Sequence, residues 1–127
     1  MQRKFRLTRS EDFKRVRRSG KSYAHPLVVL IVQAHDKRST PQSGTVDQPR
    51  VKVGVAAGRT VGTAVVRNRA KRLLREAMRP LIPNITSAFD LILIARSGLV
   101  SASLDDTRRA LLTLLQRAQI LIPINES

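Results

Sequence analysis

The chain has 127 residues, one domain's length, and 42% of them are hydrophobic, which supports a modest core and argues against disorder. Lysine and arginine number 24 against 9 aspartates and glutamates, a net charge of +15 that exceeds what solubility requires, so a polyanion is the natural partner. The absence of cysteine excludes disulfides and thiolate metal sites and fits a reducing cytoplasm; no apolar run approaches the roughly 18 residues of a membrane span, and Arg3, Lys4 and Arg6 interrupt any signal peptide.

Thr8 followed by Glu11 has capping-box spacing, predicting a short helix from about Arg9 to Arg18. Phe13 and Val16, helped by Leu7, are its apolar positions; Lys14, Arg15, Arg17 and Arg18 crowd the rest, and Gly20 suits a left-handed stop. Phe13 has two readings: a core anchor, or an exposed ring beside Lys14 and Arg17 on which a single-stranded base stacks. Leu27 to Val32, introduced by His25 and Pro26, is an aliphatic run of buried-strand length. Asp36 to Pro49 is polar and turn-rich and reads as a flexible hairpin loop with no site in it. Arg50 to Ala57 then alternates, with Val51, Val53 and Val55 on one face and Lys52, Gly54 and Ala56 on the other, where small residues leave room for something to lie.

Gly58-Arg59-Thr60-Val61-Gly62 turns the chain into the central helix with Thr63 as N-cap, a place where free N–H groups and the helix dipole suit a phosphate. At about 100° per residue, Val66, Ala70, Leu73, Leu74 and Ala77 share one arc that Leu81 extends. Arg67, Lys71 and Arg75 run along one flank at i, i+4, i+8, and Asn68, Arg72 and Arg79 continue around the solvent side. Such a row is costly without an anion, and Glu76, in reach of Arg72, is the local compensation. Pro80 ends the helix. Phe89 to Ala95 reads as a central strand, closed by Arg96-Ser97-Gly98. Ser103 and Asp106 cap a last helix with Leu104, Leu111, Leu112, Leu115 and Ala118 on its core face and Arg108, Arg109 and Arg117 in solvent; residues 121–127 form a loose tail. Periodicity thus gives the order α-β-β-α-β-α in one domain spanning residues 1–127.

Protein-borne phosphodiester hydrolysis requires carboxylates gathering Mg²⁺ or a histidine pair. The nine acids, Glu11, Asp12, Asp36, Asp47, Glu76, Asp90, Asp105, Asp106 and Glu126, form no metal cradle in the sequence pattern. His25 and His35 flank one strand, about 30 Å apart in an extended chain, and read as ordinary polar residues. The residues argue for a binding protein rather than a self-sufficient enzyme.

Ala64-Val65-Val66-Arg67-Asn68-Arg69-Ala70-Lys71-Arg72-Leu73-Leu74-Arg75-Glu76 resembles the RNR signature of the bacterial ribonuclease P protein subunit, and Phe5-Arg6-Leu7-Thr8-Arg9-Ser10-Glu11-Asp12-Phe13 and Arg96 are similar to that family too. The resemblance implies an α+β fold, a small two-layer α/β sandwich with a mixed sheet and a left-handed βαβ crossover, like the second domain of ribosomal protein S5. It implies an accessory protein of an RNA-based endonuclease that removes the 5′ leader of precursor tRNA, one protein per catalytic RNA, with no catalytic residue or cofactor of its own, the Mg²⁺ being held by RNA and substrate phosphates. Neither a membrane nor an obligate protein partner is implied. Carried over by position, Arg59, Arg67, Asn68, Arg69, Lys71, Arg72 and Arg75 would face the RNA subunit. Phe13, Lys14 and Arg17, with strand residues facing the first helix, Ile31 among them, would form the leader cleft. Arg17 stands where relatives often carry a second aromatic, and Gly58 and Thr60 depart from the family's Ser-Lys-Lys loop.

Three rival classes make different demands. A ribosomal protein tolerates any cation spacing, whereas the pattern from Arg67 to Glu76 is ordered on one helix. A DNA-binding regulator needs a helix across a tight turn before its recognition helix, and here a valine-rich strand precedes it. A protein-only nuclease needs the missing carboxylate cluster.

Overall fold

A computed structural model describes residues 6–7, 9–34, 51–85 and 88–121. Its elements are helix α1 (Ser10–Ser19), strands β1 (Lys21–Ala24), β2 (Val28–Ala34) and β3 (Val51–Ala57), helix α2 (Ala64–Met78), strand β4 (Phe89–Ala95) and helix α3 (Leu104–Arg117), with 3-10 turns at Arg79–Asn84 and Ser97–Ser101. The expected elements all form, and β1 is additional. Three of its four residues are exposed and only Tyr23 is half-buried, so no apolar alternation marks it; pairing with β2, from Lys21 opposite Val32 to Ala24 opposite Val29, defines it.

The sheet is four-stranded in the order β1-β2-β4-β3. β1, β2 and β4 are antiparallel neighbours and β3 runs parallel to β4, so the sheet is mixed and β3-α2-β4 is a parallel βαβ unit. The interior place of β4 explains its nearly unbroken apolar run. β2 and β3 flank β4 instead of pairing with each other, so the expected hairpin is not formed by those strands. The segment from Asp36 to Pro49, with His35 and Arg50, lies outside the described residues.

Period-two alternation divides the strand side chains between two faces. Val28, Leu30, Val53, Val55, Leu91 and Leu93 join the main core with Ala70, Leu74, Ala77 and Met78 of α2 and Leu111, Leu114 and Leu115 of α3. Ile31 and Ile92 turn to the other face and meet Leu7 and Val16, with Phe13, Val29 and Ile94 at the margin. Helices α2 and α3 thus cover one face while α1, among the described residues, is the helix on the other, adding a partial third layer to the two that were expected.

Local details differ from the sequence reading in four places. Helix α1 begins at Ser10, and Arg9 at its N-cap makes no side-chain cap; Thr8 lies outside the described residues. Gly20 ends α1 in extended geometry, φ −83° and ψ 167°, not the left-handed stop. The chain after Met78 continues through Pro80 as a 3-10 turn, because proline is tolerated in a first turn. In α3 the buried residues are Thr107, Ala110, Leu111, Leu114 and Leu115, while Leu104 is exposed. The Ser103 cap is as expected: its Oγ accepts from Asp106 N at 3.0 Å and Asp106 Oδ2 accepts from Ser103 N at 3.5 Å. Leu121 forms a bridge with Ile85, so the tail is tied at its first residue, and residues 122–127 lie outside the description.

Candidate nucleic-acid interface

The start of α2 is set by two residues. Gly62 has φ +148°, a conformation that side chains disfavour, and a Cβ there would also stand 3.0 Å from Val66. Thr63 Oγ1 accepts from Val66 N at 3.4 Å. Two of the N–H groups expected to be free for a phosphate are used inside the turn, Val61 N on Gly58 O at 3.1 Å and Gly62 N on Arg59 O at 3.2 Å, while the Arg59 side chain is exposed.

With Ala70, Leu74, Ala77 and Met78 buried and Val66 and Leu73 half-buried, the opposite arc of α2 must face outward. Asn68, Arg69 and Arg72 are exposed there, and Arg67, Lys71 and Arg75 are half-buried along one flank. Glu76 pairs with Arg79 at 3.2 Å, not with Arg72 as the sequence suggested. Among the described residues no carboxylate pairs with Arg67, Arg69, Lys71, Arg72 or Arg75. The row is a continuous, uncompensated cationic surface on one rigid element.

Arg6 joins it from the far end of the sequence. Leu7 N donates to Val53 O at 2.8 Å and Arg6 bridges Val53 in parallel, so Arg6 and Leu7 lie along the free edge of β3. There Arg6 approaches Arg75, whose pKa is lowered by burial first and by the Arg6 charge second. The Nε atoms of Arg6 and Arg67 are buried without a hydrogen-bond partner. Orphaned guanidinium donors are costly and match the oxygens of a phosphate. Sequence reading gave Arg6 no role, because only its long-range pairing with β3 places it.

On the α1 face, a Cβ on Gly54 would stand 2.4 Å from the Phe13 ring, so the ring rests directly on the strand backbone. Phe13 packs at the edge of the small core and also lines a hollow of about 230 Å³ with Arg6, Leu7, Gly54 and Arg75. Both readings of Phe13 are thereby accommodated: one side is packed and the other opens beside guanidinium groups. Lys14 and Arg17 are exposed. Ile31 is only 5% exposed beneath α1, so it presents no contact surface; Val29, Ala56 and Ile94 are the half-buried apolar strand residues of that face, with Gln33 and Lys52 half-buried and polar.

Other arginines serve the fold. Arg15 pairs with Asp90 at 2.6 Å and Asp12 at 3.2 Å and donates to Gln33 Oε1. Arg108, expected in solvent, donates to the carbonyls of Ala77 at 3.3 Å and Glu76 at 3.4 Å at the end of α2. Arg117 donates to Ala24 O at 3.2 Å; Arg109 is exposed as expected. His25 Nδ1 accepts from Leu27 N at 3.1 Å within the β1-β2 turn. Among the described residues no three His, Cys, Asp or Glu side chains gather as a metal site, and no helix is long and apolar enough to cross a membrane.

The family model for ribonuclease P matches residues 1–119. The chain belongs to this family. The ribonuclease P protein component of Herpetosiphon aurantiacus is 39% identical over 120 residues, covering 94% of this chain and 89% of that protein. That of Brevibacillus brevis is 35% identical over 121 residues, covering 95% and 88%. Among solved structures, the RNase P protein of Staphylococcus aureus superposes with a TM-score of 0.74 at 25% identity, covering 92% of this chain and 97% of that one. The RNase P protein of Thermotoga maritima gives 0.70 at 27%, covering 88% and 96%. Membership in the ribonuclease P family implies a part in tRNA 5′ processing by an RNA-based enzyme. Of the residues that carried the resemblance, Ala64 to Glu76 lie on α2, Ser10 to Phe13 on α1, Arg6, Leu7 and Arg9 just before α1 and Arg96 just after β4; Phe5 and Thr8 lie outside the described residues.

Proposed function

We propose that the chain binds the catalytic RNA of ribonuclease P through the outward arc of α2 and holds the 5′ leader of precursor tRNA along the α1 face. The observation that carries this reading is the uncompensated row Arg67, Arg69, Lys71, Arg72 and Arg75 on one helix. Phosphates of the RNA subunit neutralise that row, Arg59 reaches the same RNA from the preceding turn, and Asn68 adds directional hydrogen bonds. Arg6 and Arg75 share one hollow with Phe13, so a leader nucleotide there meets a ring face and cationic donors together; Lys14 and Arg17 line the solvent side.

In this reading the protein supplies no catalytic side chain and no cofactor. The RNA cleaves the phosphodiester with Mg²⁺ held by RNA and substrate phosphates, and the protein lowers the concentration of Mg²⁺ required by placing positive charge beside crowded phosphates. It acts in the cytoplasm as one protein per RNA, needing no other protein. The test is cleavage of precursor tRNA at low Mg²⁺ by the RNA subunit alone, by the protein alone and by the two together. Stimulation is expected with both; cleavage by protein alone, or no stimulation, overturns the proposal.

A further inference from the structure

Helix α1 meets the sheet through little apolar surface, with Val16 its one fully buried residue. Hydrophobic contact is non-directional, so Val16 by itself does not fix the roll of the helix. Two side chains straddle that valine. At about 100° per residue, Phe13 lies about 60° to one side of Val16 and Arg15 about 100° to the other. Phe13 reaches Gly54 on the edge strand β3, and Arg15 reaches Asp90 on the interior strand β4 and Gln33 on β2. A roll about Val16 that lifts Arg15 therefore moves the Phe13 ring against Gly54, and the reverse.

The Arg15 side is the directional one. Asp90 is 3% exposed, and register places it between Gln33 and Lys52, in the row next to Ile31, Ile92 and Gly54. Arg15 Nη2 donates to Asp90 Oδ2 at 2.6 Å and to Asp12 Oδ1 at 3.2 Å, while its Nη1 donates to Gln33. A planar guanidinium fixed on two sheet side chains and one residue of its own helix has little freedom to rotate.

We propose that the Arg15–Asp90 ion pair is a positioning device for leader-bearing substrate: it fixes the roll of α1 on the sheet and so holds Phe13 over Gly54 with Lys14 and Arg17 turned to solvent. The inference rests on the leader-cleft reading above and assigns to that cleft two residues that do not touch the leader. A purely structural pair would protect the fold and nothing else; a positioning pair changes recognition of the leader while Arg69 and Arg72, the exposed cations of α2 that do not line the Phe13 hollow as Arg75 does, keep their place.

The experiment uses the full chain assembled with its RNA subunit. Arg15→Met, Asp90→Asn, Arg15→Lys and Phe13→Ala are compared by KM and kcat on precursor tRNA with a long leader and with a single-nucleotide leader, and by affinity for the RNA subunit. Arg15→Met and Asp90→Asn should raise KM for the long leader roughly fivefold, the lower end of what a base–aromatic stack contributes. Saturated kcat, KM for the short leader and RNA-subunit affinity should not change, and Arg15→Lys, which keeps the charge but not the forked donors, should restore part of the loss. Should Arg15→Met fail to fold by thermal melt, Asp90→Asn, which keeps the shape of the buried side chain, decides alone. Normal long-leader KM in both pin variants with a raised KM in Phe13→Ala overturns the positioning role and leaves the cleft standing. If Phe13→Ala is silent too, the cleft reading fails and the inference with it. Equal losses on both leaders, or a parallel loss of RNA-subunit affinity, mark a structural pair and also overturn the inference.

Discussion

The Phe13 ring occupies the space that a side chain on Gly54 would need, its Cζ lying 2.4 Å and its Cε2 2.9 Å from where a Cβ would be. Gly54 is paired opposite Ile92 in the parallel ladder, so the backbone cannot easily yield and the ring must tilt away. Gly54→Ala should cost about 1–3 kcal/mol, the usual range for overpacking. It should also raise KM for leader-bearing precursor while leaving affinity for the RNA subunit unchanged. Thermal unfolding and steady-state kinetics check the two effects separately; an unchanged KM with a lowered Tm would leave Phe13 as a core anchor alone.

The exposed cations of α2 should behave as phosphate contacts. Replacing Arg69 and Arg72 by alanine removes two exposed guanidinium groups with no carboxylate partner among the described residues, so stability should change little. The slope of log affinity for the RNA subunit against log salt should flatten by about 0.7–0.9 per lost contact. Binding titrations at several salt concentrations measure it, and an unchanged slope would remove both residues from the interface.

Arg108 makes the contrasting case. Its guanidinium caps the Ala77 and Glu76 carbonyls where α2 ends, tying α3 to α2. Arg108→Ala should lower stability by about 1 kcal/mol, the net worth of such hydrogen bonds. The salt slope of RNA binding should stay as it is. A thermal melt beside the same titration distinguishes a fold-serving arginine from a phosphate-serving one.

These contrasts show where sequence is legible and where it is not. The alternation of Val51, Val53 and Val55, the apolar arc of α2 and the Ser103–Asp106 cap are local patterns, and each forms as its spacing implies. The cationic arc of α2 is legible for the same reason, since it is the remainder of that helix once the core arc is assigned. What stays hidden is set by pairing across long stretches of chain. Arg15 and Asp90 are 75 residues apart, and nothing local separates an arginine that pins a helix from its solvated neighbours. Arg6 acquires its place only because Leu7 pairs with Val53. β1 escapes notice because an exposed edge strand needs no apolar alternation. In α3 the core side turns toward Thr107 and Ala110, small residues that carry no strong apolar signal; Thr107 is buried at no cost in hydrogen bonding because its hydroxyl donates to Ser103 O at 2.8 Å.

Repulsion between Arg6 and Arg75 should make stability respond to anions. Arg75 is half-buried beside Arg6, and burial first and that neighbour second disfavour its charge, so an anion held between them should stabilise the folded chain. An anion that binds only the folded chain adds RT ln(1 + [L]/Kd), about 2.7 kcal/mol at a hundred times its Kd. Tm should therefore rise with sulfate at constant ionic strength. Arg75→Ala should shrink that rise while leaving Tm without sulfate equal or higher, since the substitution relieves repulsion; Arg6→Ala should act the same way, and Arg109→Ala, on the exposed side of α3, should leave the sulfate response intact. Melts of the four proteins across a sulfate series, balanced with chloride, give the result. Parallel curves for all four would mean that sulfate acts on the whole surface rather than at this cluster, and would remove Arg6 and Arg75 from the anion-binding surface.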